Sequence, residues 1–224
     1  MRRLSDADHD RVSAAIAAAE ADSAGEIVAV ATDISDSYHD VALHWAVAVL
    51  IAVLAWAAAC PSCLEWWMTK LLGGWRPLPT LGELLTFLMI LAVLKFTAVL
   101  LILKYRPLRL ALTPAATKQR RVRRRAIAVF RAAAERRTVG RTGILIYLSM
   151  AERRAEIVAD AAILGVTDAA TWGEAMAMLV TDVRDGRPAD GLVAAIEQVG
   201  AVLAEHFPRS AADINEIPDK LIEL

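Results

Sequence analysis

Hydrophobic positions along this chain follow three different spacings, and the changes between them outline its organisation. Near the N terminus, Val12, Ala15, Ile16 and Ala19 fall on one helical face behind Leu4-Ser5-Asp6-Ala7-Asp8, where Ser5 can cap and an acid follows three positions later. Gly25 stops this predicted helix, and Glu26–Thr32 (EIVAVAT) reads as a short apolar strand. From Val41 the periodicity disappears. Val41–Ala59 and Leu84–Leu103 are apolar blocks, each long enough as a helix to cross a hydrocarbon core of roughly 30 Å.

After the second block the helical spacing returns. Thr113-Pro114 reads as an N-cap followed by proline in the first turn, and a helix is predicted from there to Arg137 with Val122, Ile127, Val129, Phe130 and Ala134 for burial. Gly140-Arg141-Thr142-Gly143 is a turn, Ile144–Leu148 a buried-type strand, Ser149–Arg154 a second turn, and Ala155–Ala159 the returning strand of a hairpin. Two helices follow, over about Thr171–Arg184 and Pro188–Phe207, separated by Gly186; Leu192, Ile196, Val199 and Leu203 form an apolar stripe on the second. Residues 209–224 read as a loosely attached acidic tail. One helix and one strand before the apolar blocks cannot make a core. Residues 1–40 and 113–208 therefore form one discontinuous domain, interrupted by a hairpin over 41–112.

Composition agrees: 57% of the 224 residues are hydrophobic. The net charge of −1 hides a strong asymmetry, because residues 104–137 carry twelve Lys and Arg against the single Glu135, while the flanking segments are acidic. The connection between the blocks carries only Lys70 and Arg76, with Trp66, Trp67 and Trp75 and turn residues Gly73, Gly74, Pro77 and Pro79. By the positive-inside rule both termini lie in the cytoplasm and the Trp-rich connection outside. Lys95 is the one charge at membrane depth, placed to snorkel or to pair with another membrane helix. Cys60-Pro61-Ser62-Cys63 has redox spacing without a thioredoxin-like context, leaving a local disulfide or two free thiols.

Several stretches together resemble the TPM-domain family: Ser23–Val30 at a helix–strand junction, Gly143–Ser149 as a second strand, Arg153–Asp160 as the returning strand, and Gly191-Leu192 with Ala194-Ala195-Ile196 in the last helix. The resemblance is to a bacterial subgroup in which a transmembrane hairpin interrupts the domain. It implies an α/β fold, a small sandwich of a central sheet with flanking helices. It also implies two kinds of role: phosphatase activity with divalent-cation binding, or assembly and repair of membrane complexes. Where phosphatase-like members have an Asp-Asn-Gly type motif, this chain has Arg141-Thr142-Gly143, which puts a guanidinium where a hard cation wants a carboxylate.

The remaining chemistry is sparse. Glu26, Asp33, Asp36, Glu152 and Asp160 stand at predicted strand ends, with Arg141, Thr142 and Ser149 as polar neighbours, and no phosphate loop, nucleophile elbow or metal-ligand spacing is visible. No metal and no cofactor is expected. Lys118, Arg120, Arg121, Arg123, Arg124 and Arg125 follow the membrane closely enough to meet anionic headgroups at about 1 kcal/mol per charge. Connectivity brings Arg153 and Arg154 towards the same surface. Aromatic residues do not interleave with these charges, so nucleic acid is not an expected partner. The expected function is a non-catalytic interaction or assembly module for a membrane-protein partner or a homo-oligomer; the alternative is a membrane-bound phosphatase or divalent-metal-dependent hydrolase.

Overall fold

A computed structural model describes residues 4–72, 79–133, 142–167, 169–209 and 217–224. Its elements follow in the order α1 (Asp6–Glu20), β1 (Glu26–Thr32), α2 (His39–Ala59), α3 (Pro61–Leu72), α4 (Leu81–Ile102), α5 (Arg106–Ala111), α6 (Ala115–Ala133), β2 (Gly143–Ser149), β3 (Arg154–Ala159), α7 (Ala161–Leu164), α8 (Ala169–Arg184), α9 (Pro188–His206) and β4 (Ile222–Glu223). The chain divides into two compact units, one of residues 1–37 and 115–224 and one of residues 38–114. The turn residues Gly73, Gly74, Trp75, Arg76 and Pro77 lie outside the described residues, as do Ala134–Arg137 and Gly140-Arg141.

In the first unit the sheet order is β3-β2-β1-β4. β1 and β2 pair in parallel over seven residues, from Glu26 opposite Gly143 to Thr32 opposite Ser149. β3 returns antiparallel to β2. Every residue of β1 and β2 is buried, as expected of parallel strands covered on both faces. One face presents Ile27, Ala29, Ala31, Ile144, Ile146 and Leu148 to a core shared with Val12 and Ile16 of α1, Leu179 of α8 and the Leu192/Ile196/Val199/Leu203 stripe of α9. The opposite face presents Val28, Val30, Leu145 and Tyr147 to Val122, Ala126 and Phe130 of α6. The α/β sandwich with helices on both faces is thus the observed fold.

Close helix contact depends on glycine at one position. A methyl group built on Gly200 of α9 would sit 2.5 Å from Cβ of Ala19 in α1, closer than two carbons can approach. Gly186, at φ 80°, makes the left-handed turn between α8 and α9 that a side chain would oppose. Ser5 and Asp8 form the reciprocal capping box that starts α1.

The C-terminal segment differs from the sequence expectation. Ile217 and Leu221 are buried, β4 pairs parallel with β1, and the Thr32 hydroxyl donates to the Leu224 carbonyl at 3.0 Å. Composition made this stretch read as a loose acidic tail. Its few apolar side chains instead cover the otherwise open edge of β1. At the opposite end of that strand, Glu20 Oε1 accepts the Ile27 N–H at 2.6 Å. Burial pushes the Glu20 carboxyl up to about 8; the Ile27 N–H opposes this, and Glu26 and Asp219 reinforce it.

In the second unit α2 and α4 pack side by side through small residues, with Ala46, Ala57 and Ala92 buried. Thr80 and Glu83 form a capping box at the start of α4. The connection contains α3, which the turn residues had masked in the sequence. Leu64 and Met68 supply its buried side and Trp66, Trp67 and Leu71 are exposed. Cys60 and Cys63 are disulfide-bonded at its start. Trp45 Nε1 donates to the Leu112 carbonyl at 3.4 Å, and Arg109 Nη1 lies 3.4 Å from His39 Nδ1, so the two ends of this unit meet.

Two predictions follow from the packing of the sandwich. Gly200→Val should destabilise the full chain by about 2 kcal/mol through overpacking against α1, read as a lowered urea-unfolding midpoint in mild detergent. Gly173→Ala on α8, where a methyl group meets nothing within 4 Å, should stabilise the chain by about 0.5–1 kcal/mol, read as a raised midpoint. For Glu20 the sign is opposite to that of an ion-paired acid. Its contribution is fully present below the unfolded value of 4.5 and is lost as the pH rises through about 8. Glu20→Gln should therefore match the wild type at pH 4.5 and become progressively more stable than it towards pH 9, by the same unfolding measurement.

Candidate functional site

The segments around the C-terminal ends of β1 and β2 are tied together by hydrogen bonds. Met150 N donates to the Thr32 carbonyl at 3.0 Å and Ala151 N to the Asp33 carbonyl at 2.9 Å, prolonging the parallel pairing beyond the strands. Glu152, buried in the turn that follows, accepts the Ser149 hydroxyl on Oε2 and the Ser35 N–H on Oε1, the latter at 3.0 Å. Ser35 Oγ lies 3.1 Å from the Tyr147 hydroxyl. Arg121 of α6 closes the set with a 3.0 Å ion pair to Asp36. Burial pushes the Tyr147 hydroxyl up, and the Ser35 contact works against it. Ser149 is fully buried and its hydroxyl is committed to Glu152, so this pair anchors the turn.

Beside this anchor lies an open cavity of about 670 Å³. The beginning of α6 contributes Lys118 and Gln119, and the turn into β3 contributes Glu152, Arg153, Arg154 and Ala155. One face of α8, at Gly173, Met176, Ala177, Val180, Thr181 and Arg184, forms the opposite wall. These α8 positions recur at intervals of three and four, which is why one helix face can line the cavity. Arg153 takes the left-handed conformation at φ 49°, uncommon for a residue with a long side chain. Arg154 donates to Gln119, whose amide in turn donates to Glu156. Burial raises the Glu156 carboxyl, with Arg123 and Arg154 pulling the other way. Four cationic side chains thus face the cavity against the single carboxylate of Glu152.

The residues singled out in the sequence separate into two groups. Asp33, Asp36, Ser149 and Glu152 belong to the anchor. Glu26, Thr142 and Asp160 stand at the opposite end of β1 and β2, where Glu26 Oε2 accepts the Ile217 N–H at 3.3 Å, Thr142 donates to the Ala24 carbonyl at 2.8 Å and Asp160 accepts the Gly143 N–H at 3.2 Å. Arg141 lies outside the described residues. Among the described residues, no group of three His, Cys, Asp or Glu side chains converges as a metal site. Of the basic residues, Lys118, Arg153 and Arg154 come together at the cavity; Arg121 is engaged by Asp36, and Arg120, Arg123, Arg124 and Arg125 stand exposed along α6. Lys95 is exposed on α4. Sequence reasoning missed the α8 wall and Arg184. The available signal is that Gly173, Thr181 and Arg184 interrupt the apolar pattern of α8 along one face.

The comparisons with known proteins accord with this architecture. The TPM domain matches residues 108–202. The fold is similar to the NMR structure of the BA42 protein from the psychrophilic bacterium Bizionia argentinensis, with a TM-score of 0.56 and 17% sequence identity, over 100% of this chain and 97% of that one. That likeness concerns the fold. No curated protein matches the sequence. With the matched segment running from α5 into α9 and the strands of the resemblance in their expected pairing, the chain carries a TPM domain.

Proposed function

We propose that this chain is a two-pass protein of the bacterial inner membrane whose TPM domain acts in the cytoplasm as a non-catalytic docking or assembly module for a membrane partner or a second copy of itself. The observation that carries this reading is the outward surface of α2 and α4. Both helices are long and apolar enough to span a bilayer, and only 22% and 6% of their most apolar windows are buried. Ile51, Met89, Val93 and Leu94 are each about 60% exposed. At 1.5 Å per residue the two helices are roughly 31 and 33 Å long, matching a hydrocarbon core. A surface so apolar and so uncovered needs lipid or protein against it.

Orientation is supported by charge and by sulfur chemistry. The basic residues collect after α4, which favours a cytoplasmic TPM domain. The Cys60–Cys63 disulfide at α3 fits the oxidising side. Trp66 and Trp67 pack edge to face and Lys70 sits 5.9 Å from the Trp66 ring centroid, a set suited to a membrane–water boundary. Lys95, roughly 10 Å from the C-terminal end of α4, can snorkel to headgroups or meet a polar group on a partner helix.

A non-catalytic role is supported by the engagement of the polar groups. Glu152, Ser149, Thr142 and Asp160 make hydrogen bonds that hold the protein's own backbone or turns, and they stand at two opposite strand ends. Acid–base or metal-assisted hydrolysis needs such groups to converge on one reacting atom.

A protease-cleavable tag after Leu224 should be protected in intact spheroplasts and cleaved after lysis; cleavage in intact spheroplasts would reverse the orientation. Lys95→Leu should abolish co-purification of the partner while leaving the far-ultraviolet spectrum and unfolding midpoint unchanged. Stoichiometric divalent-cation binding together with phosphate-ester hydrolysis by the purified chain would replace the docking role with a membrane-bound hydrolase.

A further inference from the structure

The cavity beside the β2–β3 turn combines features that a charged surface alone does not need. Its cations come from three separate elements: Lys118 from α6, Arg153 and Arg154 from the turn and β3, and Arg184 from α8. A solvated basic face would show charges along one helix, as Arg120, Arg123 and Arg124 do along α6. Here the fold gathers them around one volume. The one carboxylate on the wall, Glu152, has both oxygens occupied from within, by the Ser149 hydroxyl and the Ser35 N–H. It is held in the anchor, so the gathered cations dominate the potential inside the cavity. Among the described residues neither Arg153 nor Arg184 has an acidic partner.

Size and lining narrow the ligand. A volume of about 670 Å³ lies in the range of sites for organic ligands and exceeds what a bare oxyanion fills. The α8 wall is mixed: Met176 and Val180, partly buried against the core, and Ala177 give it an apolar stretch, flanked by Thr181 and Arg184. Gly173 leaves open space on that wall, where a methyl group would meet nothing within 4 Å. Arg153 is held in a left-handed backbone conformation, a kind of local strain that gathers at ligand sites. The ligand that fits carries a phosphate at one end and an apolar portion at the other. Guanidinium groups suit the oxygens of a phosphate, and methionine adapts to an alkyl chain.

We propose that this cavity binds the headgroup phosphate of an anionic phospholipid, with the four cations around the phosphate and the first methylenes against the α8 wall. In sequence Lys118 follows the apolar unit by only a few residues, and within its own unit Glu152 of the cavity wall accepts the Ser35 N–H. The proposal rests on the membrane reading above and gives it a specific ligand: one bound lipid, recognised by charge and by an alkyl contact. Glycerol phosphate offers the same charge without the alkyl part, which makes it the discriminating competitor.

The test uses the full chain, delipidated in a neutral detergent, with native mass spectrometry counting bound molecules of a short-chain phosphatidylglycerol. One lipid should bind per chain, at least tenfold more tightly than the matching phosphatidylcholine or glycerol phosphate. Arg153→Gln with Arg184→Gln should weaken binding at least tenfold. Arg120→Gln with Arg124→Gln removes the same charge from the outer part of α6 and should change it less than twofold. Gly173→Phe fills the cavity without altering charge and should also weaken binding tenfold, provided its unfolding midpoint is preserved. Equal losses from both arginine pairs would overturn the site in favour of diffuse electrostatics. Glycerol phosphate binding as tightly as the lipid would overturn the lipid assignment and leave a soluble phosphate ligand. Short-chain lipid is presented in solution, so this result is independent of the spheroplast measurement. A chain with the expected topology that binds no lipid loses only the present proposal.

Discussion

The parallel pairing of β1 with β2 is the constraint on which the rest of the architecture depends. Neither strand has a polar face to give to water, so each must be covered on both sides and paired along its edge. α1, α8 and α9 cover one side and α6 the other. The edges are completed by β3 and by the two residues of β4. Because β1 is separated from β2 by the whole apolar unit, the N-terminal helix and strand belong to a domain whose other elements come much later in the chain. The 15 residues of α1 with the seven of β1 could not bury themselves alone.

This coupling explains what was legible before the structure. Continuous apolarity in Glu26–Thr32 and Ile144–Leu148 signalled strands buried on both faces, and the isolation of the first of them forced the inference of a discontinuous domain. The helical stripe of α9 was equally plain, because Leu192, Ile196, Val199 and Leu203 all face one core. Boundaries came within a few residues where a cap was visible, as at Ser5. Legibility failed where composition and position disagree. Ile217, Leu221 and Ile222 are dispersed among acids and prolines, so the burial of the first two and the pairing of Ile222 with β1 have no local periodicity to announce them. The Trp-rich connection was masked in the same way, since its turn residues drew attention from the spacing of Leu64 and Met68.

The candidate site was legible only in part, for a different reason. Lys118, Arg153 and Arg154 stand out as basic residues, but their convergence is a property of register. β3 must return antiparallel to β2 with Ser149 opposite Arg154, and α6 must begin beside it, before Gln119 can bridge Arg154 and Glu156. Arg184 reaches the same volume from a helix whose sequence speaks mainly of core packing. Glu152 shows the converse. It stood out as one of several acids at strand ends, and only the turn geometry reveals that its two oxygens secure Ser149 and Ser35.

The meeting of the two ends of the apolar unit, Trp45 with Leu112 and Arg109 with His39, bears on how the protein is made. During synthesis α1 and β1 emerge first and must wait for β2, with both edges of an apolar strand unsatisfied. Closing so long an intervening loop is entropically unfavourable when that loop is a flexible coil. Once α2 and α4 have packed, the same stretch becomes a short rigid bridge whose two ends are already neighbours. Packing of α2 against α4 therefore brings the two ends of the intervening stretch together, turning a pairing that is remote in sequence into one with a shorter effective loop.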